Sequence, residues 1–345
     1  MMDNRISKKL TFFSLVFSIG MTLYHSMGPI GAGEIVCNSG VEEFLSAGVD
    51  NLRAILGSAA MHYFFFTSAF LLYYNIDDSN WKRKVSSRMM SLGIPYLVWN
   101  LPLIIIQLIK NKDIFNIRLL VSRVALYPFI GPSWYLLGLL VLLINVPIYM
   151  YINKTGGGAK VHAVICILII LINQYLANLD IYILSADFSE WVPKLIGYVP
   201  TYFFGVYCGL CCAEYYTNLV NNKLILVVMF GTSLFTMMKG SGNSVICILF
   251  VFSCWYLSDY FIDRINTDKF IFKCSFPIFM GHDLILCQLS FVFSKLGQIR
   301  GYFLLPLYIV ITLFAVGIIY ILMIALDRYC PKVLRMITGS RFYRK

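Results

Sequence analysis

Long apolar stretches separated by short polar segments dominate the pattern along the chain. Because about 20 apolar residues at helical rise cross the hydrocarbon core of a bilayer, each stretch predicts a transmembrane helix. Ten spans are predicted, at residues 10–28, 55–76, 89–109, 134–153, 161–179, 195–213, 222–238, 240–262, 270–294 and 302–326. The predicted fold is an all-α integral membrane bundle, a single polytopic domain over residues 1–345 whose last residues, 328–345, form a short basic tail.

Three connecting segments carry further predictions. Spans seven and eight are short and are joined tightly at Lys239-Gly240-Ser241-Gly242, which favours a helical hairpin. The segment from Pro29 to Ala54 is predicted to be the longest one on the outer side. The segment from Lys110 to Ser133 contains an apolar stretch with two arginines, which is typical of a re-entrant or interfacial helix.

Composition supports a membrane protein. The chain is 59% hydrophobic and 13% charged, with a mean hydropathy of +0.76, whereas soluble domains carry roughly 25% charged residues. Nineteen of the 28 Lys and Arg residues fall in segments on the side of the N-terminus, so both termini are predicted to be cytoplasmic, in a multi-pass protein of the cytoplasmic (inner) membrane. The net charge of +11 is therefore interpreted as a topology signal with contact to membrane lipid, and not as nucleic-acid binding.

The ten cysteines predict neither a disulfide framework nor a metal site. Cys37 alone lies in a clearly outer segment, so it has no evident oxidised partner. Cys208, Cys211 and Cys212 are close together but have no histidine nearby in sequence, and small packing residues are the better interpretation. We expect no metal and no permanently bound cofactor.

Histidines in two spans are the most informative polar residues. His25 lies near the end of span one, where an ionisable group is costly and indicates function; the alternative is an interfacial residue bonded to headgroups or water. His282 is followed by Asp283 in span nine, and because neighbours at i and i+1 do not face each other, the two must serve different partners. The alternative for this pair is a buried contact that fixes helix packing. His62, near the outer end of span two, is a further candidate.

Span three begins after a basic run, and its first half carries further polar groups. Arg88 stands where it can turn inward and hold a phosphate in a bidentate fork, with Lys84 one turn before it. Pro95 is predicted to bend the helix, and Asn100 needs a hydrogen-bond partner inside the membrane.

Small and aromatic residues mark two other spans. Ser68 and Ala69 in span two permit close approach of another helix. Trp134 and Tyr135, at the outer end of span four, are candidates for stacking on a sugar, although an interfacial aromatic belt is the more frequent reason for such residues.

Five motifs, in order along the chain, resemble those of the membrane-bound acyltransferases of the acyltransferase-3 group, which include O-acetylases of bacterial surface polysaccharides. They are the histidine closing span one (His25), Phe65-Phe66-Thr67-Ser68-Ala69-Phe70-Leu71, the basic run with Pro95-Tyr96-Leu97-Val98-Trp99-Asn100, Pro132-Ser133-Trp134-Tyr135-Leu136, and Ser275 to His282. The chain departs from the family pattern at Ser14 and Leu137, where an arginine is common.

The resemblance implies transfer of an acyl group, expected to be acetyl, from cytoplasmic acyl-CoA to a hydroxyl of a cell-surface or lipid-linked glycan at the outer face. His25 is then the expected general base, because neutral imidazole accepts a proton well near pH 7, and His282 polarises the thioester or holds the tautomer of another group. Arg88 and Lys84 are expected to bind the phosphates of acyl-CoA. The candidates for the pocket and the acceptor are His62, Ser68, Asn100, Trp134, Tyr135 and Asp283.

Two other functions stay open at the level of sequence. A transporter or flippase of a lipid-linked glycan fits ten spans, but would be favoured by paired broken helices or by charges along a path, and only Asp283 is a charge well inside a predicted span. A structural protein of a capsule-assembly machine would not need His25.

Overall fold

The computed structural model describes residues 4–31, 34–110, 130–153, 192–215, 223–239, 244–295 and 298–339, with isolated positions at 158, 161, 164 and 168. This part of the chain is helical, as predicted, apart from connecting turns and two three-residue strands. The helices are α1 (Asn4–His25), α2 (Met27–Gly31), α3 (Gly40–Tyr73), α4 (Trp81–Lys110), α5 (Ser133–Leu142), α6 (Asn145–Asn153), α7 (Val192–Tyr215), α8 (Lys223–Met238), α9 (Ser244–Leu257), α10 (Phe270–Lys273), α11 (Ser275–Phe293), α12 (Leu304–Tyr329) and α13 (Pro331–Thr338). The strands are β1 (Glu34–Val36) and β2 (Gln298–Arg300), and short 3-10 turns cover Ser258–Tyr260, Ile262–Arg264 and Gly301–Phe303.

Within the part of the chain that the structure describes, helices occupy nine of the ten predicted spans. Within the described residues, five segments are long and apolar enough to cross a membrane: Asn4–Ile30, Gly40–Tyr73, Ser133–Ile152, Ser275–Phe293 and Gly301–Tyr329. Shorter apolar helices cover Leu195–Leu210, Lys223–Met238 and Val245–Tyr260. The count of ten spans and the cytoplasmic side of both termini therefore remain predictions.

Several sequence predictions fall outside the described residues. They are nearly all of the fifth span (161–179), the interfacial helix within 110–133, the glycine-rich turn at 240–242 and the end of the basic tail (340–345). The part of the tail that is described contains the helix α13.

The second long helix begins earlier than the hydropathy predicts. α3 starts at Gly40, whereas the predicted span starts at residue 55. A capping arrangement explains the early start: the Glu42 amide donates to the Ser39 hydroxyl (3.3 Å), and the Asn38 amide donates to the Glu42 carboxylate (2.7 Å). Much of the predicted outer segment is therefore helical, and its Arg53 lies on the same helix as His62.

Prolines act differently in two helices. α4 continues through Pro95 and Pro102. Predicted span four, in contrast, is interrupted between α5 and α6 at Leu143–Ile144. Pro147 has no N–H to donate to the Leu143 carbonyl, and that carbonyl accepts from the Val146 amide instead.

The chain divides into two compact units, one made of residues 1–63 with 222–345 and the other of residues 64–221. In the first unit α1 packs against α11 and α12, and α2 packs against α11. β1 pairs in parallel with β2, with Glu34 opposite Gln298 and Val36 opposite Arg300. Buried side chains of α2, α11, β2 and α12 form one apolar cluster, which includes Ile30, Leu286, Phe293, Ile299, Leu304, Tyr308, Ile311 and Ala315.

The beginning of α1 is fixed by a buried cation. The Lys9 side chain is 5% exposed, and its ammonium lies 2.6 Å from the Asp259 carboxylate and 5.3 Å from the centre of the Trp255 ring. Further along, Phe17 stacks on Tyr63 of α3 with ring centres 4.8 Å apart, and the Tyr63 hydroxyl donates to the Leu10 carbonyl (2.9 Å). These contacts set the position of α1 before it reaches His25.

The predicted pairing of spans seven and eight is confirmed. α8 and α9 pack side by side, and Phe230 stacks on Phe250 with ring centres 5.4 Å apart. The turn that joins the two helices lies outside the described residues.

In the second unit, α7 lies directly against the end of α3. A Cβ atom placed on Gly205 would collide with the Phe66 carbonyl, and one on Gly209 would lie 2.8 Å from the Phe70 carbonyl. The main chains can approach this closely because glycine has no side chain. α4 packs against α5, and α5 packs against α7.

Gly205→Ala should destabilise the protein by about 1–3 kcal/mol, because the new methyl group meets main chain that cannot rotate away. The matched control is Gly197→Ala in the same helix, where a Cβ meets nothing within 4 Å. The fraction of detergent-solubilised protein that stays monodisperse after heating checks this. Equal heat resistance of the two variants would refute the close approach of α7 and α3.

Candidate functional site

A pocket of about 320 Å³ opens at the C-terminal end of α1, within the first unit. Residues of α1, α2, α3 and α11 line it: Tyr24, His25, Met27, Gly28, Pro29, Arg53, Asp283, Leu286, Cys287 and Ser290. The volume is at the lower end of the range for small-molecule sites. Two of the predicted site residues, His25 and Asp283, thus line one cavity.

The two predicted catalytic histidines face each other. The ring centres of His25 and His282 are 5.2 Å apart, with an angle of 39° between their planes. His25 is half-buried at the end of α1, and His282 is fully buried within α11. His25 and His282 are far apart in the sequence, and the packing of α1 on α11 brings their rings together.

The hydrogen bonding of His282 identifies its tautomer. Its Nδ1 lies 3.0 Å from the Ile278 carbonyl oxygen, which can only accept, so Nδ1 carries the proton and donates. Nε2 then has a lone pair to offer, and it is buried without a hydrogen-bond partner among the described residues. His282 therefore has one acceptor site available to a neighbouring N–H or O–H.

His282 and Asp283 face different surroundings, as their adjacent positions in the helix predict. His282 points to the buried side of α11, whereas Asp283 is half-buried and lines the pocket. One helix thus supplies both a buried imidazole beside His25 and a carboxylate within the cavity.

Arg53 also lines the pocket, and sequence reasoning missed it as a site residue because it counted only as an outer cation. The side chain is 17% exposed. Its Nη1 donates to the Tyr24 carbonyl (2.8 Å), and its guanidinium lies 5.2 Å from the centre of the Tyr24 ring. The capping motif at Ser39 and Glu42 was the available signal, since it predicts a helix that carries Arg53 toward α1.

His62 is the other candidate on α3 in the first unit. Its side chain is buried, with 5% exposure. It is not among the residues that line the pocket beside His25. A direct role for His62 in that pocket therefore has no support from the described residues.

The predicted donor-binding cations lie in the second unit. Lys84 and Arg88 are one turn apart on α4, and both are half-buried. The Lys84 ammonium donates to the carbonyls of Tyr74 and Leu72, which belong to the unsatisfied end of α3. Burial lowers the pKa of Lys84, and Asp77 opposes this. Lys84 thus has a structural contact that the sequence did not reveal.

The Asn100 side chain has the hydrogen-bond partners that its position inside a predicted span requires. Its amide nitrogen donates to the Tyr96 carbonyl (2.7 Å), and its carbonyl oxygen accepts from the Ile130 amide and the Ser133 hydroxyl, both at 3.1 Å. The side chain is 1% exposed. These bonds join α4 to the start of α5, so the geometry favours a structural role over contact with an acceptor.

The remaining candidates form an aromatic group in the second unit. Phe65 stacks on Tyr198 with ring centres 5.1 Å apart, and the Trp134 ring lies about 6 Å from both. Ser68 and Tyr135 hydrogen-bond through their hydroxyls (2.7 Å), and the Tyr135 hydroxyl also lies 3.0 Å from the Phe64 carbonyl. Ser68 and Tyr135 thus tie α5 to α3, and the half-buried Trp134 is the member best suited to meet a ligand.

Comparison with known proteins bears on the family to which the chain belongs. A family model described as an acyltransferase domain matches residues 15–324. No curated protein and no solved structure gives a significant match to the chain. Because the matched region covers most of the 345 residues and includes every site residue discussed above, the chain belongs to the acyltransferase family 3 of membrane proteins.

Proposed function

We propose that the protein is an O-acetyltransferase of the cell membrane, which moves an acetyl group from cytoplasmic acetyl-CoA to a hydroxyl of a cell-surface or lipid-linked glycan at the outer face. Family membership supports acyl transfer and argues against a transporter that performs no chemistry. The observation that carries the residue assignment is the pocket at the end of α1, into which His25 opens with His282 directly behind it.

The proposed chemistry uses His25 as the general base. An imidazole nitrogen takes the proton of the acceptor hydroxyl while the hydroxyl oxygen attacks the thioester carbonyl carbon. The carbon–sulfur bond then breaks, and the imidazolium returns the proton to the thiolate. The products are the O-acetyl ester and free CoA, and His25 ends in its starting state.

His282 supports His25 in this scheme. Its Nδ1 proton is held by the Ile278 carbonyl, so its Nε2 can accept an N–H from the adjacent imidazole. Such a bond would orient His25 and leave its other nitrogen as the base, which is how a second group orients histidine in many hydrolases. His282 would thus act by holding the tautomer of His25.

The pocket lining suits a sugar residue. Asp283 offers hydrogen-bond acceptors, and Ser290 offers both a donor and an acceptor, while Met27 and Leu286 give apolar walls. A cavity with one carboxylate and one guanidinium has no net preference for an anion or a cation. These groups support an uncharged, polyhydroxylated acceptor.

Arg88 is the proposed contact for the phosphates of the donor. Its guanidinium can bind a phosphate through two parallel hydrogen bonds. Lys84 adds positive charge one turn away, although its contacts with the end of α3 reduce the donors it can offer. The residues proposed to bind the donor lie in the second unit, and those proposed to bind the acceptor lie in the first. The two assignments are therefore tested separately.

His25→Gln should lower acetyl transfer by about 10²–10⁴-fold, since glutamine keeps a hydrogen-bonding side chain but cannot take the proton. The measurement is the acetate released by mild alkali from the surface polysaccharide of cells that carry the variant. The control is His162→Gln, at a position predicted near the cytoplasmic edge of span five. Substantial acetylation by well-expressed His25→Gln protein would show that His25 is structural.

Arg88→Ala should raise the apparent KM for acetyl-CoA more than that for the acceptor, because it removes a phosphate contact. Arg88→Lys should recover only part of the loss, since an ammonium cannot form the bidentate fork. Isolated membranes supplied with acetyl-CoA, with free thiol as the readout, give both constants. Arg83→Ala, which removes an exposed cation from the same helix, is the control. An unchanged KM for acetyl-CoA in Arg88→Ala would overturn the donor assignment.

The proposed direction of transfer depends on topology. A reporter enzyme that is active only outside the cytoplasm should be active when fused after Lys295, and inactive when fused after Lys269 or Lys345. The opposite pattern would place the pocket on the cytoplasmic side and would exclude an outer-face acceptor.

A further inference from the structure

Arg53 occupies a position that the proposed chemistry leaves unexplained. It lies on α3, lines the pocket beside His25, and makes its closest hydrogen bond to main chain rather than to another side chain. A cation this well buried needs a compensating interaction. The Arg53 side chain makes two contacts with α1, which identify the part of the pocket that it holds in place.

The first contact is with the end of α1. The last four carbonyls of a helix lack partners within the helix, and in α1 three of them have partners beyond it. The Ser26 amide donates to Thr22 (3.0 Å), the Ser26 hydroxyl donates to Leu23 (2.6 Å), and Arg53 Nη1 donates to Tyr24 (2.8 Å). Arg53 therefore caps the turn that carries His25, and its positive charge suits the negative end of the helix dipole.

The second contact is with the Tyr24 ring, which lies between Arg53 and His25. The guanidinium is 5.2 Å from the ring centre, and the same ring meets the His25 imidazole edge-on, with centres 4.9 Å apart and planes at 82°. Gly57, one turn after Arg53, leaves room for this ring, since a Cβ there would lie 2.5 Å from Tyr24 Cγ. The ring is thus held between α3 and the imidazole.

Asp50 orients the guanidinium from the other side. Its carboxylate lies 3.5 Å from Arg53 Nε, one turn earlier on α3, without the geometry of a hydrogen bond. Arg53 is therefore held by a charge on its own helix and by main chain and ring on α1, an arrangement that resists rotation of the last turn of α1.

We propose that Arg53 is a positioning residue, which fixes the last turn of α1 and the Tyr24 ring and thereby the direction of the His25 imidazole. This inference rests on the proposed role of His25 as the base. A misplacement of about 1 Å can cost a reaction roughly 10²-fold. Loss of Arg53 should therefore act on kcat and leave substrate affinity nearly unchanged.

The test compares Arg53→Met and Arg53→Lys in membranes, with acetyl-CoA as donor and the host's surface polysaccharide, stripped of esters by mild alkali, as acceptor. Arg53→Met should lower kcat by about 10²-fold with each KM within about threefold of the parent. Arg53→Lys should recover part of kcat, because an ammonium can still donate to the Tyr24 carbonyl. Arg300→Met, which removes an exposed cation from β2, should retain parental kcat.

The double variant Arg53→Met/His25→Gln separates positioning from direct catalysis. If Arg53 acts only through His25, the double variant is no slower than His25→Gln alone. An additive loss, or a rise in KM without a fall in kcat, would overturn the proposal. Full activity of His25→Gln would instead defeat the proposed function, whereas an inactive His25→Gln with a fully active Arg53→Met would defeat this inference alone.

Tyr24→Leu provides a second variant in case Arg53→Met does not accumulate. It removes the ring that transmits the contact but keeps the carbonyl that Arg53 binds. A fall in kcat with unchanged KM is expected, smaller than that of Arg53→Met. Parental kcat in Tyr24→Leu would show that the ring does not position His25.

Discussion

The packing of α1 against α11 is the contact on which the candidate site depends. It places His25, from the first helix, within 5.2 Å of His282, from near the end of the chain, and it supplies two walls of the pocket. Two polar side chains of α1, Ser18 and Thr22, are completely buried, and their hydroxyls bond to carbonyls one turn earlier in the same helix. These bonds satisfy hydroxyls that an apolar environment would otherwise penalise heavily.

Several polar residues that suggest chemistry in the sequence have structural partners instead. Asn100 joins α4 to the start of α5, and Lys84 binds carbonyls at the end of α3. Both residues satisfy main-chain groups of the helix ends that they join. Polarity in a span indicates that a residue is needed, and only its neighbours show whether it is needed for folding or for catalysis.

The sequence predicts much of the helical organisation and part of the site. The polarity of His25, His282 and Asp283 within apolar stretches was sufficient to select them, and the i, i+1 relation of the last two correctly separated their surroundings. Arg53 was not selected, because its importance comes from its contact with Tyr24 on another helix, at a separation of 29 residues. Hydropathy also placed the start of α3 too late. The capping motif at Ser39 and Glu42 begins the helix in polar sequence, which a hydropathy profile does not mark as part of a span.

The pairing of β1 with β2 has a consequence for biosynthesis. The two strands lie near opposite ends of the chain, and the pocket likewise combines His25 and Arg53 with the late residue Asp283. At about 5–20 residues per second, translation takes roughly ten seconds or more between Arg53 and Asp283. A ribosome-bound chain thus holds its early helices in the membrane without a finished cavity, and contacts of such high sequence separation form last. Synthesis of a nearly complete polypeptide is therefore needed before this pocket exists, and a chain truncated before α11 lacks the wall that carries Asp283.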